Sequence, residues 1–270
     1  MTIEFIKMHG LGNDFVIIDM RGSQQGLSKK QIMEMGNRRT GIGCDQLITI
    51  VAPKNNENDC RINIYNGVDG QEVEACGNAT RCVGDILLSE TGFDQVRIET
   101  IAGVLVASRA QDRMISVDMG VPKCDWTDIP VAEECDTLHL PLEGDPVGVN
   151  MGNPHCVYFL DENVEGYPVS DIGPKIERHA LFPERVNVEF INVIDENCLR
   201  MRVWERGAGE TQACGTGACA AVVAGVRRGL VKRTCRVILD GGDLFFNWDE
   251  QSGHITMTGA VHYVFKGQYI

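Results

Sequence analysis

Two short segments of this chain each place a cysteine just ahead of a run of small residues, and they look like copies of one another. The first is Glu74-Ala75-Cys76-Gly77-Asn78-Ala79-Thr80-Arg81-Cys82, the second Gln212-Ala213-Cys214-Gly215-Thr216-Gly217-Ala218-Cys219. A helix opening just after each cysteine biases its thiol towards thiolate, because the N-terminal end of a helix carries a partial positive charge. A glycine-rich turn precedes each one, Asn66-Gly67-Val68-Asp69-Gly70 and Arg206-Gly207-Ala208-Gly209, where glycine allows a tight backbone path that a side chain would block. The small residues that follow, Gly77-Asn78-Ala79 and Gly215-Thr216-Gly217-Ala218, leave the first backbone N–H groups of each helix open to a carboxylate.

Two such cysteines suit proton transfer at a carbon next to a carboxylate. Loss of that proton leaves a dianionic, enediolate-like species, which two helix N-termini aimed at the same carboxylate would stabilise. One cysteine, as thiolate, takes the proton from one face; the other, as thiol, returns one to the opposite face, and the roles exchange in the reverse reaction. Such chemistry needs no cofactor and no metal. The pair must share one proton, so its two thiols titrate as a unit. Cys82 and Cys219 read as packing residues one turn or so further along.

The elements that must position these groups come as a duplication. Gly12-Asn13-Asp14-Phe15-Val16 parallels Gly152-Asn153-Pro154-His155-Cys156, and Arg61-Ile62-Asn63-Ile64-Tyr65-Asn66 parallels Arg200-Met201-Arg202-Val203-Trp204-Glu205. The offset is 140 at the first asparagine, 139 at these strands and 138 at the cysteines, which predicts two domains of like topology about a pseudo-two-fold axis. Apolar, β-branched runs predict strands near 3–8, 14–20, 45–52, 60–66, 95–100, 102–109 and 113–119 in the first half. The second half predicts them near 147–151, 155–160, 186–194, 199–205, 235–240, 243–248, 254–258 and 261–265. Ser28 reads as the N-cap of a helix to about Gly36, and Ser170-Asp171 opens one to about His179 with Pro174 in its first turn. Helices over 77–90 and 215–228 follow the cysteines. The expected fold is α+β: each half is a curved, mostly antiparallel sheet with a central helix against its concave face. The halves are 1–119, joined by the last strand 262–270, and 120–261, with the active site in the cleft between them.

Composition narrows the function classes. The chain has 270 residues, 43% of them apolar, and a formal charge of −13, which argues against nucleic-acid and anionic-membrane partners but allows an anionic small-molecule substrate in a locally positive pocket. No apolar run has the length of a membrane span, and the N-terminus lacks the basic-then-apolar pattern of a signal peptide, so a cytoplasmic location is expected. The eleven cysteines include no Cys-x-x-Cys pair, which speaks against a zinc ribbon or a thioredoxin-type motif. Cys44, Cys60, Cys124, Cys135, Cys156, Cys198 and Cys235 read as small buried hydrophobes.

On these residues the chain resembles the diaminopimelate epimerase family over essentially its whole length. The segments that carry the resemblance are His9-Gly10-Leu11-Gly12-Asn13-Asp14-Phe15-Val16, Gly41-Ile42-Gly43-Cys44-Asp45-Gln46, Glu72-Val73-Glu74-Ala75-Cys76-Gly77-Asn78, Gly152-Asn153-Pro154-His155, Trp204-Glu205-Arg206-Gly207 and Ala213-Cys214-Gly215-Thr216-Gly217. The resemblance implies cofactor-independent interconversion of LL- and meso-diaminopimelate, feeding lysine and peptidoglycan synthesis, with Cys76 and Cys214 as the two bases. It implies that Gly77, Asn78, Gly215 and Thr216 hold the reacting carboxylate and that Asn13, Gln46, Asn66, Asn153, Asn187, Glu205 and Arg206 hold the rest of the substrate. His155 and Glu205 resemble residues that tune the thiols. Arg206 can fork onto a distal carboxylate, and asparagine offers both donor and acceptor to a zwitterionic centre. Asn13 and Asn66, beside glycines, also fit plain turn positions, and Arg206 also fits a surface pair with Glu205 or Glu210.

Two departures from the family pattern stand beside the Cys76 loop: Val68 reads as a one-residue insertion, and Gln71 replaces a usual serine. Phe265 falls where relatives carry a tyrosine at a dimer contact, so homodimerisation is an expectation by resemblance. The alternatives are a proline- or hydroxyproline-type racemase, which would not need Arg206 and so many asparagines, and a thiol-disulfide redox sensor. Assays with and without reductant separate the last from an epimerase.

Overall fold

The computed structural model of the chain describes residues 2–23, 25–73 and 76–270. Glu74 and Ala75 of the first cysteine loop therefore lie outside the described residues. The chain divides into two compact units, one of Met1–Val117 with Gly259–Ile270, the other of Asp118–Thr258.

The first unit is a mixed sheet. Its elements in chain order are β1 (Ile3–Gly10), β2 (Asn13–Asp19), α1 (Lys29–Gly36), β3 (Gln46–Val51), β4 (Cys60–Asn66), β5 (Glu72–Val73), α2 (Gly77–Thr91), β6 (Gln95–Thr100), β7 (Gly103–Arg109) and β8 (Ile115–Asp118). β1 and β2 form an antiparallel hairpin, β2 runs parallel to β3, and β3 is antiparallel to β4. β4 pairs with β5 antiparallel and with β6 parallel, and β6 with β7 antiparallel. Ser28 caps α1 in a reciprocal box: its Oγ accepts from the Gln31 N–H while Gln31 Oε1 accepts from the Ser28 N–H. Ile32 and Met35 on α1 pack with Val16, Ile18 and Leu47.

The second unit repeats the plan. It holds β9 (Val147–Asn150), β10 (Pro154–Phe159), α3 (Val169–Glu177), β11 (Asn187–Asp195), β12 (Cys198–Glu205), β13 (Gly209–Thr211), α4 (Gly215–Arg227), β14 (Thr234–Leu239), β15 (Gly242–Trp248) and β16 (Ile255–Gly259). β10 runs parallel to β11 and β12 parallel to β14, while β9–β10, β11–β12, β12–β13, β14–β15 and β15–β16 are antiparallel. The parallel pairs fall at the same steps in both units. The last strand, β17 (His262–Tyr269), pairs antiparallel with β1 of the first unit, Ile3 opposite Tyr269.

Each cysteine-led helix lies against its own unit's sheet, α2 on β1, β6 and β7 and α4 on β9, β10, β11 and β12. From Gly215 to Gly225 α4 is built from Gly, Ala, Val, Thr and Cys and is buried on every side, as a helical stretch without charged residues can be. α3 departs from expectation. It begins at Val169 after Pro168, because the Asp171 and Ile172 N–H groups both reach the Pro168 carbonyl, at 3.0 and 3.1 Å. Pro174 therefore stands in the helix interior rather than its first turn. β5 and β13, two and three residues long, are short strands that the apolar pattern did not predict.

Candidate active site

Cys76 and Cys214 occupy the same structural position in their units, each the N-cap residue of its helix in extended backbone, with φ −148° and −118°. The two sites differ in what surrounds the sulfur. Cys76 is partly exposed, and its Sγ lies 3.6 Å from Asn13 Oδ1. Asn78, one residue into the helix and 2% exposed, donates its Nδ2 to the same oxygen at 3.4 Å. Asn13 Nδ2 donates in turn to Asp45 Oδ2 at 3.1 Å. Gln46 and Asn66 stand directly opposite one another across β3 and β4, and Gln46 Oε1 is buried with no hydrogen-bond partner among the described residues. Val68 projects to solvent, 84% exposed, while the turn around it closes through the Gly70 N–H on the Asn66 carbonyl at 2.8 Å. Gln71 caps that turn with its N–H on Asp69 Oδ1 at 2.9 Å.

Around Cys214 the wall is titratable. The sulfur is buried and accepts from the Gly217 N–H at 3.4 Å, with the Thr216 hydroxyl 3.5 Å away. Gly217 leaves room here: a Cβ at that position would stand 2.7 Å from Glu189 Oε1 and 3.3 Å from the sulfur, so either would have to shift. His155, fully buried, places Nδ1 2.7 Å from Glu189 Oε1 and Nε2 2.9 Å from Asn153 Oδ1. Glu205 accepts from the Thr211 hydroxyl and from the Cys214 thiol. Burial, then the charges of Glu205 and Glu189, push the Cys214 thiol well above its ordinary range, against the opposing Thr216 and Gly217 donors. Burial likewise pushes Glu205 up, against its hydrogen bonds to Thr211 and Cys214 and the charge of His155.

Asn187, 3% exposed, is a bracket: its Nδ2 donates to the Pro154 carbonyl and its Oδ1 accepts the Arg206 N–H, both at 2.9 Å. It thereby ties the Asn153 turn to the Arg206 turn. The Arg206 guanidinium donates to the Glu184 carbonyl at 3.3 Å. Its suggested surface partners are engaged elsewhere, Glu205 with Thr211 and Glu210 with Arg202 and Ser170. Within the first unit, then, Asn13, Asn78 and Cys76 come together; within the second, Asn153, His155, Glu205, Cys214 and Thr216 do.

Sequence reasoning missed Glu189, Thr211 and Asp45. Glu189 had a readable signal: it is one carboxylate inside the apolar run Val188–Ile191 of a buried strand, where an acid needs a partner. Thr211 carried none, since single polar residues beside turns are commonplace, and Asp45 stood within the resemblance segment Gly41 to Gln46 with no role assigned. Among the described residues no group of three or more His, Cys, Asp or Glu is arranged to hold a metal ion, and no helix is long and apolar enough to cross a membrane.

The α+β fold of this chain recurs in solved structures. A hydroxyproline epimerase from Agrobacterium vitis superposes with a TM-score of 0.70 over 99% of this chain and 91% of its own, at 14% identity. A PhzF-family phenazine biosynthesis protein from Bacillus anthracis does so with a TM-score of 0.69 over 100% and 99%, at 17% identity. Within that fold the chain belongs to the diaminopimelate epimerase family, whose model matches residues 5–124 and 147–264. Diaminopimelate epimerases of Phenylobacterium zucineum and Gluconobacter oxydans are 48% and 47% identical to it, covering 98% and 99% of this chain and 96% and 99% of theirs. The family is one of isomerases.

Proposed function

We propose that this chain epimerises diaminopimelate, converting the LL to the meso form and back as a step in lysine and peptidoglycan precursor synthesis, as a cytoplasmic homodimer. The observation that carries the mechanism is the equivalence of Cys76 and Cys214, each the N-cap of the helix packed on its unit's sheet. A thiolate at one removes the α-hydrogen. The electron pair left on carbon delocalises into the adjacent carboxylate, and the other thiol delivers its proton to the opposite face. One sulfur ends protonated and the other ionised, so no net proton is consumed and no external redox partner is needed.

Backbone N–H groups of Gly77, Asn78, Gly215 and Thr216 receive the carboxylate as its charge grows. Asn13, Gln46, Asn66, Asn153 and Asn187 serve the ammonium groups and the distal carboxylate, Arg206 forks onto that carboxylate, and His155 and Glu205 set the proton affinity of Cys214. The buried Gln46 Oε1, without a hydrogen-bond partner among the described residues, supports a ligand donor at that point, since an acceptor left without one costs about 1–3 kcal/mol. A distal charged end sets this reading apart from a proline-type racemase.

The test is incubation of the purified protein with LL-diaminopimelate in deuterium oxide, without pyridoxal phosphate or metal. Deuterium should enter the α-carbon as the meso form accumulates. Cys76→Ala and Cys214→Ala should each abolish epimerisation, and near-normal turnover by either variant ends the two-base assignment. Arg206→Ala should raise KM severely.

A further inference from the structure

We propose that Asp45 is a positioning residue of the epimerase, one that locks the Asn13 side-chain amide with its oxygen turned to the Cys76 sulfur. The proposal rests on the reading of Cys76 as a base and adds a residue that the family resemblance left without a role. A carboxylate can only accept hydrogen bonds. The end of Asn13 that meets Asp45 Oδ2, 3.1 Å away, must therefore be Nδ2. Oδ1 is then left facing Cys76 Sγ at 3.6 Å and Asn78 Nδ2 at 3.4 Å.

The far end of the chain of contacts imposes the same sense. A guanidinium only donates, and Arg81, 0% exposed, gives its Nη2 to Asn78 Oδ1 at 2.9 Å. Asn78 must then present Nδ2 to Asn13. Turning over either amide would set two acceptors or two donors against each other, at Asp45, at Arg81 or between the asparagines.

Asp45 is itself held in place. Its Oδ1 takes Arg38 Nη2 at 2.6 Å, and its Oδ2 takes the Asp14 N–H at 3.0 Å. Its own N–H bonds Asp14 Oδ1 at 2.9 Å.

The fold does not require this lock. In β2–β3 Phe15 is opposite Gln46, and in β10–β11 His155 is opposite Asn187, so Asp45 corresponds to Val186 in the second unit. Counting from the helix starts at Gly77 and Gly215, Arg81 corresponds to Cys219. The second unit builds the same strand pairings with neither charge. The pair of charged ends is therefore particular to the unit that carries Cys76. Its effect is on the sulfur: an oxygen beside Sγ favours the thiol, whereas the same amide reversed would aim N–H groups at it and favour the thiolate. The oxygen is also the acceptor that a substrate ammonium group would meet beside the reacting carbon.

The experiment follows the pH dependence of iodoacetamide alkylation at Cys76, read from the modified peptide by mass spectrometry, in the full-length protein and two variants. Asp45→Ala removes the acceptor and frees the Asn13 amide to turn. The Cys76 midpoint should fall by about half a pH unit or more, and kcat/KM should drop about tenfold. Asp45→Asn also loses the charge but keeps an oxygen for Asn13. It should hold the wild-type midpoint and stay within about threefold of wild-type kcat/KM. If the midpoint is unchanged in Asp45→Ala, or moves equally in both variants, the lock is overturned. Alkylation does not depend on turnover, so this result stands apart from the fate of the two-base assignment, which Cys76→Ala decides.

Discussion

Cys214 keeps its proton because of where it lies: burial acts first, and the carboxylates of Glu205 and Glu189 add to it. Removing a negative neighbour must then let the thiol ionise more readily. Glu205→Gln should lower the midpoint for alkylation of Cys214 by up to about one pH unit, equivalent to about 1.4 kcal/mol. A midpoint that stays put or rises would show that Glu205 does not act on the sulfur. The sign also sets the pH behaviour of the reaction. A thiol with raised proton affinity remains an acid to higher pH, so the direction that needs Cys214 as thiolate should be the first to weaken as pH falls. In Glu205→Gln that weakening should begin at lower pH, measured as kcat/KM for each direction.

The cysteine-led helices show how closely an element can be fitted to its sheet. Gly84 in α2 faces Ala107 of β7, and a Cβ at Gly84 would sit 2.6 Å from the Ala107 Cβ. Helix propensity alone would favour Gly84→Ala by about 1 kcal/mol. Overpacking costs about 1–3 kcal/mol, and neither partner is a flexible side-chain end that could move aside. Gly84→Ala should therefore destabilise the protein by about 1–2 kcal/mol in urea unfolding, and adding Ala107→Gly should recover most of that loss. A stabilised single variant would mean that α2 can slide on its sheet.

At this scale much was legible in the sequence. The Ser28 cap, both helix starts after the cysteines and the long strands follow from local pattern and from the repeat. β5 and β13 were not legible, because two or three residues cannot show a period. The start of α3 was missed because Pro168 supplies the capping carbonyl while the serine-aspartate signal lies just beyond it. At the site, residue types and the repeat picked out the cysteines. The Asp45 and Glu189 contacts join residues 32 and 34 positions apart, which only the strand pairing brings together.

For the whole molecule, the most telling surface is the last strand. β17 pairs with β1, and three consecutive apolar residues on it, Tyr263, Val264 and Phe265, are 48–54% exposed. An apolar strand in the open is an association site or an aggregation hazard. The proposed homodimer gives this one a use, and Phe265 packs edge-on against Phe5 with ring centroids 5.7 Å apart, so the strand is already stiffened for contact. Val264 makes the cleaner probe, because that aromatic contact survives its replacement. Val264→Glu should leave the unfolding midpoint of the isolated chain nearly unchanged, as exposed substitutions usually do within about 0.5 kcal/mol. Its sedimentation mass should fall from twice the 29.7 kDa chain to that of one chain. Each chain carries a formal charge of −13, so self-repulsion opposes pairing, and in the wild type added salt should strengthen the dimer rather than weaken it. A dimer that persists in Val264→Glu, or that salt dissociates, would locate the interface elsewhere and give it an ionic character.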